Sequence, residues 1–351
     1  MFGFGKRKMV KRLLVMRFSA MGDVAMTAPV VYALATQNPE LRITMLTRNR
    51  QVALFEWMPA NVQVVGIDFG KNDGVMGLTK VYNELRKRNF DAVADLHDVL
   101  RTKYLRACFR ASGTRVAVVD KGREEKRQLL GKGLSAAPLK PMTERYADVF
   151  RGMGLTVDLS QRMSINLQGE SFMAVNALAG KKGDGEKWVG VAPFAAHPQK
   201  IYPTDRMREV VQQLAKEGCK VFLFGAGEAE TKELSAWEQK KVVSVCGKLG
   251  GLKNEMLLMS RLDLMISMDS ANMHIASMLG VPVLSIWGAT HPKAGFVGYG
   301  QNEKNAVQRD LACRPCSIYG NKPCKYGDLR CMDMRAEMIA EKAMNMMKLG
   351  K

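Results

Sequence analysis

Short apolar runs alternate with amphipathic stretches in the first half of the chain. The runs are rich in Val, Ile and Leu, and the stretches between them, for instance 75–88 and 99–109, repeat apolar residues at helical spacing. Strands that are apolar on both faces and alternate with helices are typical of a parallel sheet covered by helices. The pattern therefore predicts βαβα units with strands at 13–16, 43–46, 62–67, 92–96 and 116–119.

A second series of the same kind follows the segment GKKGDGEK (180–187), whose glycines and charges are typical of an exposed connector. Its predicted strands are 188–192, 220–224, 242–245, 264–267 and 283–287. Its predicted helices lie near 205–216, 228–239, 254–260 and 272–278. The segment 334–349 has apolar residues at helical spacing and predicts a closing amphipathic helix. The predicted fold class is thus α/β, with two similar Rossmann-like doubly wound parallel sheets.

Length and composition agree with two domains. The chain has 351 residues, of which 47% are hydrophobic, and a single core rarely serves a chain of this length. No uninterrupted apolar window reaches the roughly 18 residues of a membrane-spanning helix. The basic N-terminus (MFGFGKRKMVKR) lacks the long apolar core and cleavage site of a secretory signal, so the sequence predicts a cytoplasmic protein.

The charge balance favours anionic partners. Lys and Arg number 53 against 34 Asp and Glu, which gives a net charge of +19. Such a charge attracts phosphate-bearing partners, whether nucleic acid, anionic lipid or phosphorylated saccharide. The chain contains no zinc-finger, RNP or KH signature, so no nucleic-acid partner is expected.

Four of the seven cysteines form a spaced set in a loop rich in Gly, Pro and Lys. These are Cys313, Cys316, Cys324 and Cys331, in the pattern C-x2-C-x7-C-x6-C. A structural zinc ion is one interpretation, although the second pair lacks the usual close spacing. Free or packed thiols and a disulfide are the alternatives that remain open.

Ligands of open parallel sheets bind beyond the carboxyl ends of the strands, so the strand-end loops are the candidate sites. These loops are 19–23, 193–200, 225–228, 268–274 and 288–292. In one of them, Asp269, Ser270 and Asn272 are helix-capping residues placed before a predicted helix. The N–H groups and dipole of a helix N-terminus bind phosphate without a metal. A helix cap with no ligand is the alternative.

Two charged residues in these loops suit a nucleotide. Lys200 adds a mobile positive charge that would neutralise a departing diphosphate. Glu228 would accept hydrogen bonds from ribose hydroxyls, or would be an exposed first-turn carboxylate that favours the helix dipole. The surrounding GAGEAE matches the dinucleotide fingerprint G-x-G-x-x-G only in part, because Glu230 replaces its third glycine.

Four sequence elements in order resemble one known family. They are RFSAMGD (17–23), Lys200-x-x-Pro203, DSANMH (269–274) and WGATHP (287–292). Together they are similar to the ADP-heptose:lipopolysaccharide heptosyltransferases, glycosyltransferase family 9, over nearly the whole chain. The resemblance implies a GT-B fold, in which an acceptor-binding domain at 1–180 and a nucleotide-sugar-binding domain at 181–332 face a cleft. It also implies that a final helix, within 333–351, packs back on the N-terminal domain.

The resemblance further implies an inverting, metal-independent transfer that requires no cofactor and uses ADP-heptose as the donor substrate. Asp23 is implied as the general base that takes the proton of the acceptor hydroxyl, with a helix cap as the alternative, and Lys200 as the second catalytic residue. The implied donor-binding residues are Glu228, Asp269, Ser270, Ala271, Met273 and His274. A histidine at this position is more often a structural hydrogen-bonding group than a catalyst. The expected acceptor-binding residues are Ser19, Met21, Gly22, His97 and Arg101.

These expectations give one functional hypothesis and three alternatives. The hypothesis is transfer of a heptose or related sugar to the lipopolysaccharide inner core, an anionic lipid-linked saccharide of lipid A and core. The protein would then lie at the inner face of the cytoplasmic membrane, where positive charge is useful. The second loop reads APFAAHPQK and the fourth contains DSA, which departs from the commoner family forms and leaves the donor sugar open. The alternatives are another nucleotide sugar or acceptor, a Rossmann-type oxidoreductase, and a non-catalytic binding protein.

Overall fold

The computed structural model describes residues 9–70 and 74–349. The chain divides into two compact units: the first comprises the residues up to Lys121 together with Thr143–Gln161, and the second comprises Gly122–Met142 and the residues from Arg162 onward. The predicted boundary at 180 differs from this division, since 122–142 and 162–180 belong to the second unit. Residues 122–187 contain no strand in the structure, so the strand pattern did not mark where the chain passes between the units.

Five parallel strands form the sheet of the first unit. They are β1 (Arg12–Met16), β2 (Arg42–Arg48), β3 (Val62–Ile67), β4 (Ala92–Asp95) and β5 (Arg115–Val118), in the order β3-β2-β1-β4-β5. The central strand β1 is buried from Leu13 to Met16, as expected of a strand covered on both faces. This is the Rossmann order 3-2-1-4-5-6 without its sixth strand, which confirms the predicted doubly wound sheet.

Six parallel strands form the sheet of the second unit. They are β6 (Trp188–Ala192), β7 (Lys220–Leu223), β8 (Val242–Ser244), β9 (Leu264–Met268), β10 (Val283–Ile286) and β11 (Ala306–Val307), in the order β11-β10-β9-β6-β7-β8. Counted from β6, this is the complete Rossmann order. The edge strand β11 was not predicted, because its two residues are too short to produce a hydrophobic run.

Eleven α-helices among the described residues connect and cover the strands. In chain order they are α1 (Met21–Gln37), α2 (Gly74–Arg86), α3 (Leu100–Ala111), α4 (Arg123–Lys132), α5 (Met142–Arg151), α6 (Met173–Ala179), α7 (Thr204–Lys216), α8 (Glu228–Ser235), α9 (Leu252–Met259), α10 (Ala271–Met278) and α11 (Ala336–Leu349). Over the residues that the structure describes, no helix is long and apolar enough to cross a membrane.

The last helix, α11, packs within the second unit. Its buried residues Ile339, Ala340 and Ala343 belong to the same apolar core as Val210 and Leu214 of α7. The expected packing of the segment 333–351 on the N-terminal domain stays a prediction. The apolar stripe of α11 was predicted from its spacing, but spacing does not identify the surface that the stripe covers.

The strand order places the candidate loops. It reverses between β1 and β4 in the first sheet and between β6 and β9 in the second. At such a point the connections leave toward opposite faces, so the loops diverge and leave a crevice for a ligand. The loops after β1 and β4 therefore lie together in the first unit, and the loops after β6 and β9 lie together in the second.

Candidate active site

In the first unit, Asp23 is held from two sides. It lies in the first turn of α1, where its carboxylate accepts a hydrogen bond from the Ala20 N–H at 3.2 Å. The same oxygen lies 2.9 Å from the guanidinium of Arg17. The Asp23 side chain keeps 28% of its surface exposed, whereas that of Arg17 keeps 6%. The carboxylate is thus fixed in direction and still open to an incoming molecule.

Arg17 is the residue that positions this carboxylate, and the sequence analysis did not identify it. Its other contacts are a 2.5 Å hydrogen bond to the Leu96 carbonyl and a stacking contact over the Tyr146 ring at 5.5 Å. Burial lowers the pKa of Arg17, but the electrostatic attraction of Tyr146 and Asp23 outweighs it and the net direction is upward. Arg17 is therefore a permanent charge beside Asp23. A cation placed at the end of an apolar strand was the signal that could have revealed it.

His97 lies beside the same loop, on the loop after β4. Its Nε2 is 3.2 Å from the Ser19 hydroxyl, and the ring is only 6% exposed. Burial, followed by the charges of Arg17 and Lys121, lowers the pKa of His97 to about 3. The imidazole is therefore neutral at physiological pH, so it is a hydrogen-bonding group here and not a cation for an anionic acceptor.

Cationic side chains cluster near these loops. The guanidinium groups of Arg101 and Arg48 lie over the Phe69 ring, at 4.8 Å and 5.3 Å from its centroid. Burial, and then repulsion from Arg50 and Arg101, lowers the pKa of Arg48. A bound anion would relieve that repulsion. Of the remaining predicted acceptor residues, Met21 and Gly22 are half-buried in the first turn of α1.

In the second unit, Lys200 and Asp269 form a nearly buried ion pair. Lys200 ends the helical turn Pro198–Lys200 after β6, and its Nζ lies 3.0 Å from an Asp269 oxygen. The Thr290 hydroxyl donates to the same oxygen at 2.8 Å. The two charged side chains are 13% and 9% exposed, so the lysine that the sequence analysis described as a mobile charge is paired here with a carboxylate.

The pair lies beside the N-terminus of α10. Ser270 is the residue before the helix, yet its side chain makes no capping hydrogen bond and instead lies 3.1 Å from the Ser267 hydroxyl. The carboxylate of Asp269 is also not a cap, because it binds Lys200. The first N–H groups of α10 are thus not satisfied by the predicted capping side chain, as an anion site requires. Of the other predicted donor residues, Ala271 is half-buried and Met273 and His274 are buried.

The loop after β7 is closed by Glu230. Its carboxylate accepts the Ala226 N–H at 2.8 Å, which explains physically why a glutamate stands at the third fingerprint position. The predicted ribose ligand Glu228 begins α8 and is exposed. Its carboxylate is therefore accessible to a nucleotide, and it also favours the helix dipole.

The cysteine-containing segment packs on the donor loops through Arg314 and Gly320. Arg314 is fully buried and donates to the carbonyls of Gly288 and Thr290, at 2.5 Å and 2.8 Å. Gly320 has φ +75°, and a Cβ there would lie 2.5 Å from Cδ of Lys200. The segment therefore fixes both the loop after β10 and the stem of Lys200, a role that the sequence analysis did not predict.

The thiols themselves are not linked. All seven cysteines are free, and no three His, Cys, Asp or Glu side chains within the described residues are grouped to hold a metal ion. Burial, and then the neighbouring Cys313 and Cys331, raises the pKa of Cys316 to about 11. Backbone N–H groups, first that of Tyr326, lower the pKa of Cys324. The interpretations of this cysteine set as a zinc site, a disulfide or free thiols stay predictions.

Comparison with known proteins gives the same family as the motifs. The model of glycosyltransferase family 9 (heptosyltransferase) matches residues 78–326. Lipopolysaccharide heptosyltransferase 3 of Escherichia coli (strain K12) is 24% identical over 285 residues, which cover 77% of this chain and 80% of that protein.

Solved structures of related proteins have the same fold. The glycosyl transferase family 9 structure from Veillonella parvula DSM 2008 has a TM-score of 0.74 at 20% identity, covering 97% of this chain and 98% of that one. E. coli ADP-heptose lps heptosyltransferase II has a TM-score of 0.70 at 17% identity, covering 97% and 99%. The predicted GT-B class, with two parallel-sheet α/β domains, is confirmed. Because the family model matches most of this chain, residues 78–326, the chain belongs to glycosyltransferase family 9, the heptosyltransferases, and is a glycosyltransferase.

Proposed function

We propose that this protein transfers a heptose from ADP-heptose to the inner core of lipopolysaccharide, with inversion at the anomeric carbon. The observation that carries the proposal is the Lys200–Asp269–Thr290 network beside the open N-terminus of α10, in a chain of this family. Two of the proteins named above are heptosyltransferases of lipopolysaccharide, and one of these is named for ADP-heptose.

The second unit would bind the donor diphosphate. The ammonium group of Lys200 has three N–H donors, and Asp269 accepts one of them. The others, with the N–H groups of Ser270 and Ala271 and the helix dipole, would bind phosphate oxygens. This fixed positive charge would stabilise ADP as it departs, because the group is already oriented before charge develops. Glu228 would accept hydrogen bonds from the ribose.

The first unit would bind and activate the acceptor. Asp23 would take the proton of the acceptor hydroxyl as that oxygen forms a bond to the anomeric carbon. The bond between this carbon and the phosphate oxygen breaks, and its electron pair leaves with ADP. Arg17 keeps the carboxylate of Asp23 in position. Arg48 and Arg101 would attract the phosphate and carboxylate groups of the acceptor. Because such an acceptor carries both phosphate and a lipid, the protein would act as a peripheral protein at the inner face of the cytoplasmic membrane.

A calorimetric titration with ADP-, UDP- and GDP-sugars tests the donor class. We expect the ADP-sugar to bind at least about tenfold more tightly than the others, a difference of about 1.4 kcal/mol. The variant Lys200→Met should weaken ADP binding, while Lys216→Met, an exposed lysine at the end of α7, should not. Preference for NAD over ADP-sugars would contradict the proposal in favour of an oxidoreductase. Donor binding without transfer to an inner-core acceptor would favour the non-catalytic alternative.

A further inference from the structure

Three large apolar side chains at the starts of α2 and α3 project into water from the first unit. Val75 and Met76 in the first turn of α2 are 64% and 78% exposed, and Leu100 at the start of α3 is 84% exposed. The next residues of α2, Gly77 and Leu78, are buried, so the helix has a packed face and these side chains lie outside it. We call Val75, Met76 and Leu100 the apolar patch. Clustered exposed apolar groups mark surfaces that bind another apolar phase.

Contacts between α2 and α3 bring the patch together. The Thr79 hydroxyl lies 2.6 Å from the Tyr104 hydroxyl, which links the second turns of the two helices. Thr79 also donates to the Val75 carbonyl at 2.7 Å and so ties the first turn of α2 to that link. Both helices begin at the carboxyl edge of the same parallel sheet, after β3 and β4. The first turns of α2 and α3 are therefore neighbours.

Basic side chains lie near the patch. Arg101 and Lys103 lie in the first turns of α3, and Lys80 is exposed on α2. We call these three side chains the basic rim. Asp98, two residues before α3, lies 4.0 Å from Nζ of Lys103 and offsets part of this charge, whereas neither first turn contains an acidic residue. Cations at a helix N-terminus oppose the helix dipole and cost stability, so this placement is unfavourable for the helix itself. Arginines and lysines there are favourable when an anionic surface lies opposite them.

We infer that the apolar patch and its basic rim form the surface by which this protein docks on an anionic lipid bilayer. Apolar side chains would enter the acyl–headgroup boundary while Lys80, Arg101 and Lys103 meet anionic headgroups. A second protein is a poorer match, because three side chains provide far less than the roughly 800 Å² per partner of a stable interface. The inference rests on the proposed function, since a lipid-linked acceptor is what gives docking a purpose.

The position of the patch supports this role. Asp23 and His97 follow β1 and β4, so they lie at the same carboxyl edge of the sheet as the first turns of α2 and α3. Docking through this edge would turn the acceptor loops toward the headgroups from which the saccharide extends. The patch would thus raise the local concentration of acceptor at Asp23 without contacting the reacting atoms.

Vesicle flotation tests the surface in the absence of donor and acceptor. The probes are phosphatidylcholine vesicles with and without about 30% phosphatidylglycerol, at low and high salt. The triple variant Val75→Ser, Met76→Ser, Leu100→Ser should lose about tenfold in affinity for the anionic vesicles. The matched control is Met173→Ser, since Met173 of α6 is also 78% exposed. The charge variant Lys80→Gln, Lys103→Gln should lose affinity and salt dependence together.

A transfer assay separates this inference from the proposed function. The triple variant should transfer to a delipidated, soluble acceptor as wild type does, but more slowly to acceptor embedded in vesicles. Wild-type vesicle binding without any heptosyl transfer would refute the proposed function and leave the docking surface standing. Equal binding by the triple variant, equal binding to neutral vesicles, or loss of a wild-type dimer in the variant would overturn the inference. Circular dichroism and thermal unfolding confirm that each variant is folded.

Discussion

The substitution Asp23→Asn separates a catalytic carboxylate from a structural one. Asparagine keeps the size of the side chain and an oxygen that can accept the Ala20 N–H, but it cannot take a proton and it carries no charge for Arg17. A general base contributes about 100- to 10,000-fold to the rate. This corresponds to about 3 to 5 kcal/mol in the activation free energy.

The structural cost of the same change is smaller. The ion pair joins Arg17, 6% exposed, to Asp23, 28% exposed, so its loss should lower the free energy of unfolding by about 1 to 3 kcal/mol. A protein with at least about 5 kcal/mol of stability stays more than about 95% folded after such a loss. Unfolding therefore cannot account for a rate that falls by a factor of 100 or more, and the two roles are distinguishable by magnitude alone.

The assay is kcat/KM for heptosyl transfer, measured beside urea unfolding and ADP-sugar titration. The matched control is Asp205→Asn, which removes an exposed first-turn carboxylate from α7 in the second unit. We expect Asp23→Asn to lose transfer while keeping donor affinity, and Asp205→Asn to keep both. Retention of more than about a tenth of the wild-type kcat/KM by Asp23→Asn would refute its role as the base.

Three further predictions follow from single contacts. Gly320→Ala should raise the donor KM about tenfold, because the added Cβ displaces Lys200. The control Gly327→Ala has nearly the same positive φ but no atom near its Cβ, so it should leave the donor KM unchanged. Equal effects of the two variants would show that backbone strain, and not contact with Lys200, is the cause. Folding lowers the pKa of His97 from 6.5 to about 3, so the imidazole is neutral in both the folded and the unfolded protein above pH 6.5. Between pH 6.5 and 3, only the unfolded protein binds a proton at this residue. Stability should therefore fall by about 2 kcal/mol between pH 7 and 5 in urea titrations, and an unchanged pH dependence in His97→Gln would count against this. Iodoacetamide at pH 8 should modify Cys324 before Cys316, as peptide mass spectrometry would show, and the reverse order would contradict the opposite directions of their pKa values.

The sequence by itself determined the two sheets. Ten of the eleven strands were predicted to within about two residues, because strands buried on both faces leave apolar runs that need no tertiary information. The same local pattern located the strand-end loops, since a parallel sheet puts its ligand side at the carboxyl ends. The order of the motifs that contain Asp23, Lys200 and Ser270 then indicated the family.

Only the tertiary structure decided how these loops are held. The long-range contacts are those of Arg17 with Leu96, Thr290 with Asp269, Arg314 with Thr290 and Gly320 with Lys200. The partners are at least 21 residues apart in the chain, and no spacing rule encodes such contacts. The surface covered by α11 and the membership of 122–142 in the second unit were also invisible in the pattern. An amphipathic stripe predicts which residues of a helix are buried. The surface against which they pack depends on the packing of the whole chain.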